Sequence, residues 1–142
     1  CHDAEYEGQA AIELEALATS PTPGSIWEQH WENDRLILDP MNAIAAAIAG
    51  RSDPRAAAYA FHDSLATAVT NAAIAIRDRS GVNTVGLTGG VFSNALLTTL
   101  TLAKLSAAGC TVLTHRVVPP NDGGLALGQI AVAARAEYGN GA

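Results

Sequence analysis

The chain has 142 residues, which is enough for one domain with a core of its own but too few for two. Hydrophobic residues make up 49% of it and aromatic residues only 5%, so burial must rely on alanine and aliphatic side chains. The formal net charge is −6, from 8 basic and 14 acidic residues, and a surface of that sign repels phosphate backbones; we therefore expect no nucleic-acid partner.

The N-terminal residue, Cys1, has three interpretations. Since Met41 is the sole methionine, we expect the chain to be a processed product or a part of a larger protein. The other two interpretations are a lipid-modified lipoprotein cysteine and the nucleophile of a hydrolase that uses its own amine as base. The mostly helical pattern disfavours that hydrolase class, and a cut within a larger protein is the preferred interpretation.

Cysteine content and hydropathy bear on the compartment. Cys1 and Cys110 are too few for a disulfide framework, which favours a reducing cytoplasm. The longest apolar stretch, residues 43–49, is too short to cross a bilayer, so we expect no membrane attachment.

The first third of the chain is predicted to contain two helices and one short strand. Helical spacing of apolar residues predicts the first helix, and the prolines and glycine that follow end it. Two tryptophans and His30 lie in a segment that we interpret as a packed loop. The predicted elements are the first helix (7–18), the loop that ends it (19–24), the packed loop (27–31), the strand (35–38) and the second helix (39–49).

A long third helix is predicted from Pro54 to about Arg79. Ser52 or Asp53 can cap it, and proline is tolerated in the first turn because its missing N–H has no intrahelical acceptor there. His62 on this helix is expected to make a structural hydrogen bond. One apolar stripe at spacings of three and four should face the core, formed by Phe61, Leu65, Val69, Ala72 and Ile76.

From residue 82 the order is strand, glycine turn, helix, strand, glycine turn, helix. This is an α/β pattern, and its functional loops should lie at the carboxyl ends of the strands. Cys110 is expected to be a buried residue at a strand edge, and His115 to border the cleft or lie on the surface. The predicted elements are a buried strand (82–88), a turn (88–94), a helix (94–108), a second strand (111–115), a loop (119–124), a last helix (124–137) and a frayed tail (139–142).

The turn from Thr88 to Asn94 is the first candidate site. Consecutive glycines, Gly89 and Gly90, let backbone N–H groups approach an anion, and the helix that follows adds a dipole favourable to phosphate. Asn94 could cap that helix or reach the sugar or base of a ligand. A tight turn with an asparagine cap and no ligand remains the alternative.

Two further segments contain candidate residues, and the first of them, the second glycine turn, could share a cleft with the turn at 88–94. Asp122, between Asn121 and two glycines, could be a helix cap, a metal ligand or an acceptor for magnesium-bound water. Glu7, before Gly8 at the start of the first helix, could be a cap or accept a hydrogen bond from a ribose. The four histidines share no metal-ligand spacing.

Together these segments resemble the C-terminal signatures of the HypF-type carbamoyltransferases, which take part in [NiFe]-hydrogenase maturation. The related tRNA threonylcarbamoyl transferases share the glycine turn but not the Tyr-Glu-Gly-Gln start. The resemblance extends from about residue 4 to 138 in the family's order, through segments 6–18, 61–62, 88–97 and 118–129.

The resemblance implies an α/β fold, the second lobe of a Kae1-like module of the actin, heat-shock-ATPase and sugar-kinase (ASKHA) class, over residues 1–138. It implies that the parent protein is an enzyme that uses ATP and carbamoyl phosphate to make carbamoyl adenylate. The carbamoyl group would then pass to the C-terminal cysteine of a HypE-type maturation protein. Another carbamoyl or threonylcarbamoyl transferase, or a non-catalytic ATPase-fold scaffold, is the alternative.

The resemblance also implies the roles of individual residues. Magnesium would accompany ATP. Asp122 would be a metal ligand. The complete site would also contain a transition metal, iron or zinc. The family's H-x-x-x-H helix and first lobe are missing from the sequence, so we expect the isolated chain to be inactive. Because the missing lobe would leave an apolar cleft wall exposed, we also expect the chain to form a homodimer or otherwise to pair through that face. The implied nucleotide contacts are Glu7, Gly8, Gly89, Gly90 and Asn94.

Overall fold

The computed structural model describes residues 3–138, so the frayed tail predicted at 139–142 and the interpretations of Cys1 lie outside the described residues. The predicted α/β class is confirmed. The elements in chain order are α1 (Gln9–Leu17), β1 (Glu28–Glu32), β2 (Arg35–Asp39), α2 (Met41–Ala49), α3 (Pro54–Ser80), β3 (Thr84–Leu87), α4 (Ala95–Ala107), β4 (Thr111–Thr114) and α5 (Leu125–Tyr138), with 3-10 turns at Gly50–Ser52, Gly90–Ser93 and Asp122–Gly124.

The central element is α3, against which α1, α2, α4 and β2 pack. Asp53 caps its start by accepting a hydrogen bond from Ala56 N, and Gly81 ends it with a φ of 74°. The predicted apolar stripe is only partly buried, and Ile76 is 48% exposed. Because several elements surround the helix, small residues on more than one face make the closest contacts, and the buried set is Ala58, His62, Ser64, Ala66, Ala68 and Thr70.

A β-hairpin formed by β1 and β2 replaces the packed loop predicted at residues 27–31, and that prediction is wrong. The strands pair antiparallel, and Asn33 and Asp34 join them with φ of 46° and 61°, the positive angles that a two-residue hairpin turn requires. All of β1 is exposed. A strand with neither face buried needs no alternation of polar and apolar residues, so this pattern could not indicate β1. The Arg79 guanidinium lies 4.5 Å from the Trp31 ring centroid.

The two strands that position the site, β3 and β4, pair in parallel through the α4 crossover. The core beneath them is built on Leu87, Leu105 and Cys110, so the predicted burial of Cys110 is confirmed. The strand predicted to be buried over 82–88 is shorter and mostly exposed: Leu87 is buried, whereas Thr84 and Gly86 are exposed. The described sheet of β3 and β4 has only these two strands. No helix within residues 3–138 is long and apolar enough to cross a membrane.

Candidate functional site

Two clefts open at the carboxyl ends of β3 and β4, as the α/β pattern predicts. The first, here called the α1 cleft, has a volume of about 650 Å³. Five of the six predicted site residues line it: Glu7, Gly8, Gly90, Asn94 and Asp122. The structure therefore brings together segments that lie more than a hundred residues apart in the chain.

The second cleft, here called the α5 cleft, has a volume of about 820 Å³ and lies beside α5. It contains the sixth predicted residue, Gly89, and shares Gly90 and Asp122 with the α1 cleft. His115 borders it, with Nε2 2.9 Å from Thr88 Oγ1, which confirms one of the two placements expected for this histidine. The loop at residues 119–124 thus separates two adjacent spaces.

The turn after β3 has two backbone N–H groups, those of Gly90 and Val91, that donate no hydrogen bond among the described residues. Gly89 has a φ of 95°, a conformation that side chains disfavour, and its N–H donates to Pro120 O at 2.8 Å. The first hydrogen bond of the 3-10 turn is donated by Phe92 N to Gly89 O, so the N–H groups of Gly90 and Val91 precede it. Both residues are exposed, and a Cβ added at Gly90 would meet no atom within 4 Å.

The N-terminus of α4 differs from the expectation that its dipole helps to bind phosphate. The Asn94 side chain caps it by accepting a hydrogen bond from Leu97 N at 2.8 Å, which confirms the predicted cap. The Glu15 carboxylate on α1 accepts from two further N–H groups through Oε1, from Ala95 at 2.7 Å and Leu96 at 3.1 Å. The fourth N–H group without an intrahelical acceptor, that of Asn94, donates to Val91 O at 3.2 Å. All four are therefore satisfied within the chain, so a phosphate there would have to displace Glu15.

Sequence reasoning missed Glu15. It is one of several acidic residues on an amphipathic helix, where a charged position usually marks only a solvated face. Its partners lie 80 and 81 residues further along the chain, and no local pattern indicates such a pairing.

Behind the site, His62 is 4% exposed and makes two hydrogen bonds. Its Nδ1 lies 2.8 Å from Ala58 O, and its Nε2 lies 3.0 Å from Asn94 Nδ2. The structural hydrogen bond predicted for His62 is confirmed. The Asn94 side chain is consequently held at both its oxygen and its nitrogen.

The loop before α5 gives Asp122 a different local role from the cap considered above. The cap is Asn121, whose Oδ1 accepts from Gly123 N at 3.0 Å. Asp122 is exposed, and none of the hydrogen bonds among the described residues involves its carboxylate. A cation in either cleft could therefore reach this carboxylate without breaking an existing contact.

At the other wall of the α1 cleft, Gly8 begins α1 with a φ of 80° and no side-chain cap. The capping alternative for Glu7 is therefore wrong. Glu7 is exposed and lines the cleft, where its carboxylate can accept hydrogen bonds from hydroxyl groups.

The described residues offer few side chains that could bind a metal ion. Over residues 3–138 no group of three or more His, Cys, Asp and Glu side chains is placed to hold a metal ion. The single carboxylate of Asp122 fits magnesium, which commonly takes one or two protein carboxylates together with substrate phosphates. A transition metal needs more protein ligands than these residues supply.

Comparison with known proteins identifies the family. A family model described as "Carbamoyltransferase, Kae1-like Domain, second subdomain" matches residues 1–129. Carbamoyltransferase HypF2 of Cupriavidus necator is 37% identical over 155 aligned positions, covering 90% of this chain and 19% of that protein. Carbamoyltransferase HypF of Rhodobacter capsulatus is 39% identical over 137 positions, covering 91% of this chain and 16% of that protein.

Two solved structures share the fold. Full-length HypF in its phosphate- and nucleotide-bound form has a TM-score of 0.84 and 33% identity, over 92% of this chain and 18% of that one. HypF of T. kodakarensis has a TM-score of 0.74 and 26% identity, over 96% of this chain and 18% of that one. The chain thus spans about a fifth of the length of these relatives. It belongs to the HypF carbamoyltransferase family, in the second subdomain of the Kae1-like domain.

Proposed function

From this family membership, we propose that the chain is the nucleotide-binding lobe of a carbamoyltransferase that activates carbamoyl phosphate with ATP as carbamoyl adenylate. The observation that most supports the proposal lies in the α1 cleft, which is lined by exposed residues whose backbone N–H groups donate no hydrogen bond among the described residues, and by an exposed carboxylate. The N–H groups are those of Gly90 and Val91, and the carboxylate is that of Glu7. The fold relative with a nucleotide bound adds to this support.

Each predicted contact has a chemical basis. The N–H groups of Gly90 and Val91 would donate to phosphate oxygens, since the Gly89–Gly90 backbone has no side chain in the way. The Glu7 carboxylate would accept from the ribose hydroxyls, with the adenosine lying against the turn at Gly8. Asn94 has one amide hydrogen beyond those used by the protein, which could donate to the nucleotide.

Magnesium would neutralise phosphate charge, and Asp122 would hold it directly or through water. The iron or zinc of the complete site would need ligands from beyond this chain, because residues 3–138 have no sufficient cluster.

The proposed reaction has two steps, formation of carbamoyl adenylate and transfer of the carbamoyl group. Carbamoyl phosphate, ATP and water give carbamoyl adenylate, pyrophosphate and inorganic phosphate. In the transfer, the C-terminal cysteine sulfur of a HypE-type partner attacks the carbamoyl carbon. The bond from that carbon to the AMP oxygen then breaks, AMP leaves with the electron pair, and the thiol proton passes to solvent. The chain's own residues bind and orient the nucleotide in both steps.

The proposal includes a cytoplasmic setting and an apolar association surface. Large hydrophobic side chains on α5 are exposed by half or more, including Leu125, Ile130 and Val132. A surface of this kind favours association, either with the remainder of the parent protein or, in the isolated chain, as a homodimer.

The direct test is calorimetric titration of ATP with magnesium into the full-length protein, wild type and Gly90→Val. Valine at this position would obstruct the N–H groups of the turn, while its Cβ meets nothing in the fold, so binding should fall and the melting temperature should stay unchanged. Ala103→Val adds similar bulk to an exposed position of α4 outside both clefts and should bind ATP normally. Equal ATP affinity of Gly90→Val and wild type would show that the nucleotide does not bind at this turn.

A second measurement tests the reaction. The full-length protein should catalyse ATP–pyrophosphate exchange that depends on carbamoyl phosphate, and the isolated chain should not. Exchange by the isolated chain would contradict the expectation that other parts of the protein complete the site.

A further inference from the structure

Glu15 connects the two walls of the α1 cleft. Glu7 and Gly8 lie on the wall that begins α1, and Gly90 and Asn94 lie on the wall that leads into α4. The Glu15 carboxylate on α1 accepts hydrogen bonds from two backbone N–H groups at the start of α4, and Glu15 itself lines the cleft. Among the described residues, these are the hydrogen bonds that join α1 to α4.

We infer that Glu15 is a positioning residue for nucleotide binding: it fixes the distance between the two walls and keeps anions away from the α4 N-terminus. The inference rests on the proposed function, because it assumes that the α1 cleft takes a nucleotide. It adds that the phosphates are bound by the Gly90 and Val91 N–H groups rather than by the α4 N-terminus.

The choice of a carboxylate has a physical reason. A helix N-terminus has a partial positive charge and free N–H donors, so it attracts phosphate and carboxylate alike. With Ala95 and Leu96 paired to Glu15, and Leu97 paired to Asn94, α4 has no free donor for phosphate. The donors that remain open in the cleft are those of the preceding turn.

The link also constrains α1, which has few other anchors. None of the α1 residues is buried, and its first turn has no side-chain cap. Without Glu15, α1 keeps its packing against α3 but loses its polar contact with α4. The Glu7 carboxylate, two turns upstream on the same segment, then loses its fixed distance from Gly90.

The test compares Glu15→Ala and Glu15→Gln in the full-length protein. Glu15→Ala removes both hydrogen bonds that join α1 to α4 and should weaken ATP binding about ten-fold. Glu15→Gln retains an oxygen acceptor without the charge and should restore most of that affinity. Glu13→Gln removes a carboxylate charge from the same helix outside the cleft and keeps an oxygen that can accept from the Gln9 side chain, so it should bind ATP like the wild type.

A second readout does not depend on ATP. Amide hydrogen exchange at Ala95 and Leu96 should be slow in the wild type and at least ten-fold faster in Glu15→Ala. Inorganic phosphate should shift the NMR signals of these two amides in Glu15→Ala and leave them unchanged in the wild type, because only the variant has free donors there.

The outcomes separate the two proposals. If wild type and Glu15→Ala bind ATP equally, or if phosphate shifts the Ala95 and Leu96 amides equally in both proteins, the role of Glu15 is overturned while the nucleotide site stands. If the wild type binds no ATP, the proposed function fails and the positioning role fails with it. The phosphate titration then still decides whether Glu15 excludes anions from α4.

Discussion

Asn94 Nδ2 and His62 Nε2 lie 3.0 Å apart, and this contact fixes both the tautomer of the histidine and the orientation of the amide. The amide oxygen of Asn94 accepts from Leu97 N, so the amide nitrogen faces His62 and donates to it. His62 Nε2 is therefore the acceptor, and Nδ1 bears the hydrogen that is donated to Ala58 O at 2.8 Å. A buried neutral histidine thus holds a residue of the candidate nucleotide site.

The first prediction concerns this pair. His62→Ala should lower the free energy of unfolding by about 1–3 kcal/mol, because it removes a buried side chain and leaves Asn94 Nδ2 without its protein partner, whereas Ala58 O keeps the backbone hydrogen bond of α3. A double-mutant cycle with Asn94→Ala should give a coupling energy of about 0.5–3 kcal/mol, as expected for residues in direct contact. Strictly additive effects in chemical denaturation would show that the two side chains do not interact.

The second prediction separates the two roles of Asn94. Asn94→Asp keeps an oxygen that can cap α4 but replaces the donor that faces His62. We expect the α4 cap to survive, with protected Leu97 amide exchange, while ATP affinity falls. Asn94→Ala should lose the cap as well, at a cost of about 0.5–2 kcal/mol in unfolding free energy. If both variants leave the Leu97 amide equally unprotected, the assignment of the oxygen to the cap is wrong.

The third prediction uses neighbouring residues of the loop before α5. Asp122→Asn should weaken magnesium-dependent ATP binding and leave the melting temperature unchanged, because the Asp122 carboxylate supports no hydrogen bond of the loop. Asn121→Ala removes the cap on Gly123 and should lower the melting temperature instead. The comparison is made by calorimetry with and without magnesium, and by thermal unfolding. Equal magnesium dependence in Asp122→Asn and wild type would exclude Asp122 as a metal ligand.

The fourth prediction is a pH dependence. Partial burial raises the pKa of the Asp63 carboxyl, but the Lys104 ammonium at 2.8 Å and the Gly24 N–H at 2.9 Å lower it by more, so the pKa lies below its ordinary value. A depressed folded-state pKa contributes stability above the unfolded-state pKa of about 3.9, and that contribution is lost as the pH falls through the folded-state pKa.

Asp63→Asn should therefore reduce the free energy of unfolding at pH 7, and its difference from the wild type should shrink below about pH 4. Asp78→Asn is the control: its exposed carboxylate pairs with the neighbouring Arg77 at 3.4 Å, and a surface pair of this kind should change the free energy of unfolding little at either pH. Urea denaturation across this pH range measures both differences. A difference for Asp63→Asn that stays constant down to the acid limit would contradict the ion pair.

The fifth prediction concerns the approach of the loop after α1 to α3. A Cβ at Gly24 would lie closer than 3.0 Å to backbone atoms of Ser64 and Ala60, which cannot move without shifting α3. Gly24→Ala should therefore cost about 3 kcal/mol, at the upper end for overpacking. Gly86→Ala, where the added Cβ meets nothing within 4 Å, should cost far less in the same denaturation experiment. Similar costs for the two variants would mean that the loop does not pack as described.

The local order of the C-terminal half could be predicted from the sequence because its signals are local. Gly81 and Gly109 adopt positive φ at the ends of α3 and α4, and Asn94 caps α4 as its position before the helix indicates. Two parallel strands joined by one helix place their carboxyl ends together. For that reason the glycine turn and the Asp122 loop were expected to share a cleft, and they do.

The tertiary structure decided the rest, since the relevant contacts join residues far apart in the chain. The strand β1 has no alternation of its own and exists through pairing with β2. The local sequence predicts a phosphate site at the α4 N-terminus, but the Glu15 carboxylate from α1 accepts the hydrogen bonds of its N–H groups. A sequence determines which helix ends have unpaired donors; only the packing of the elements determines whether a ligand or another side chain reaches them first.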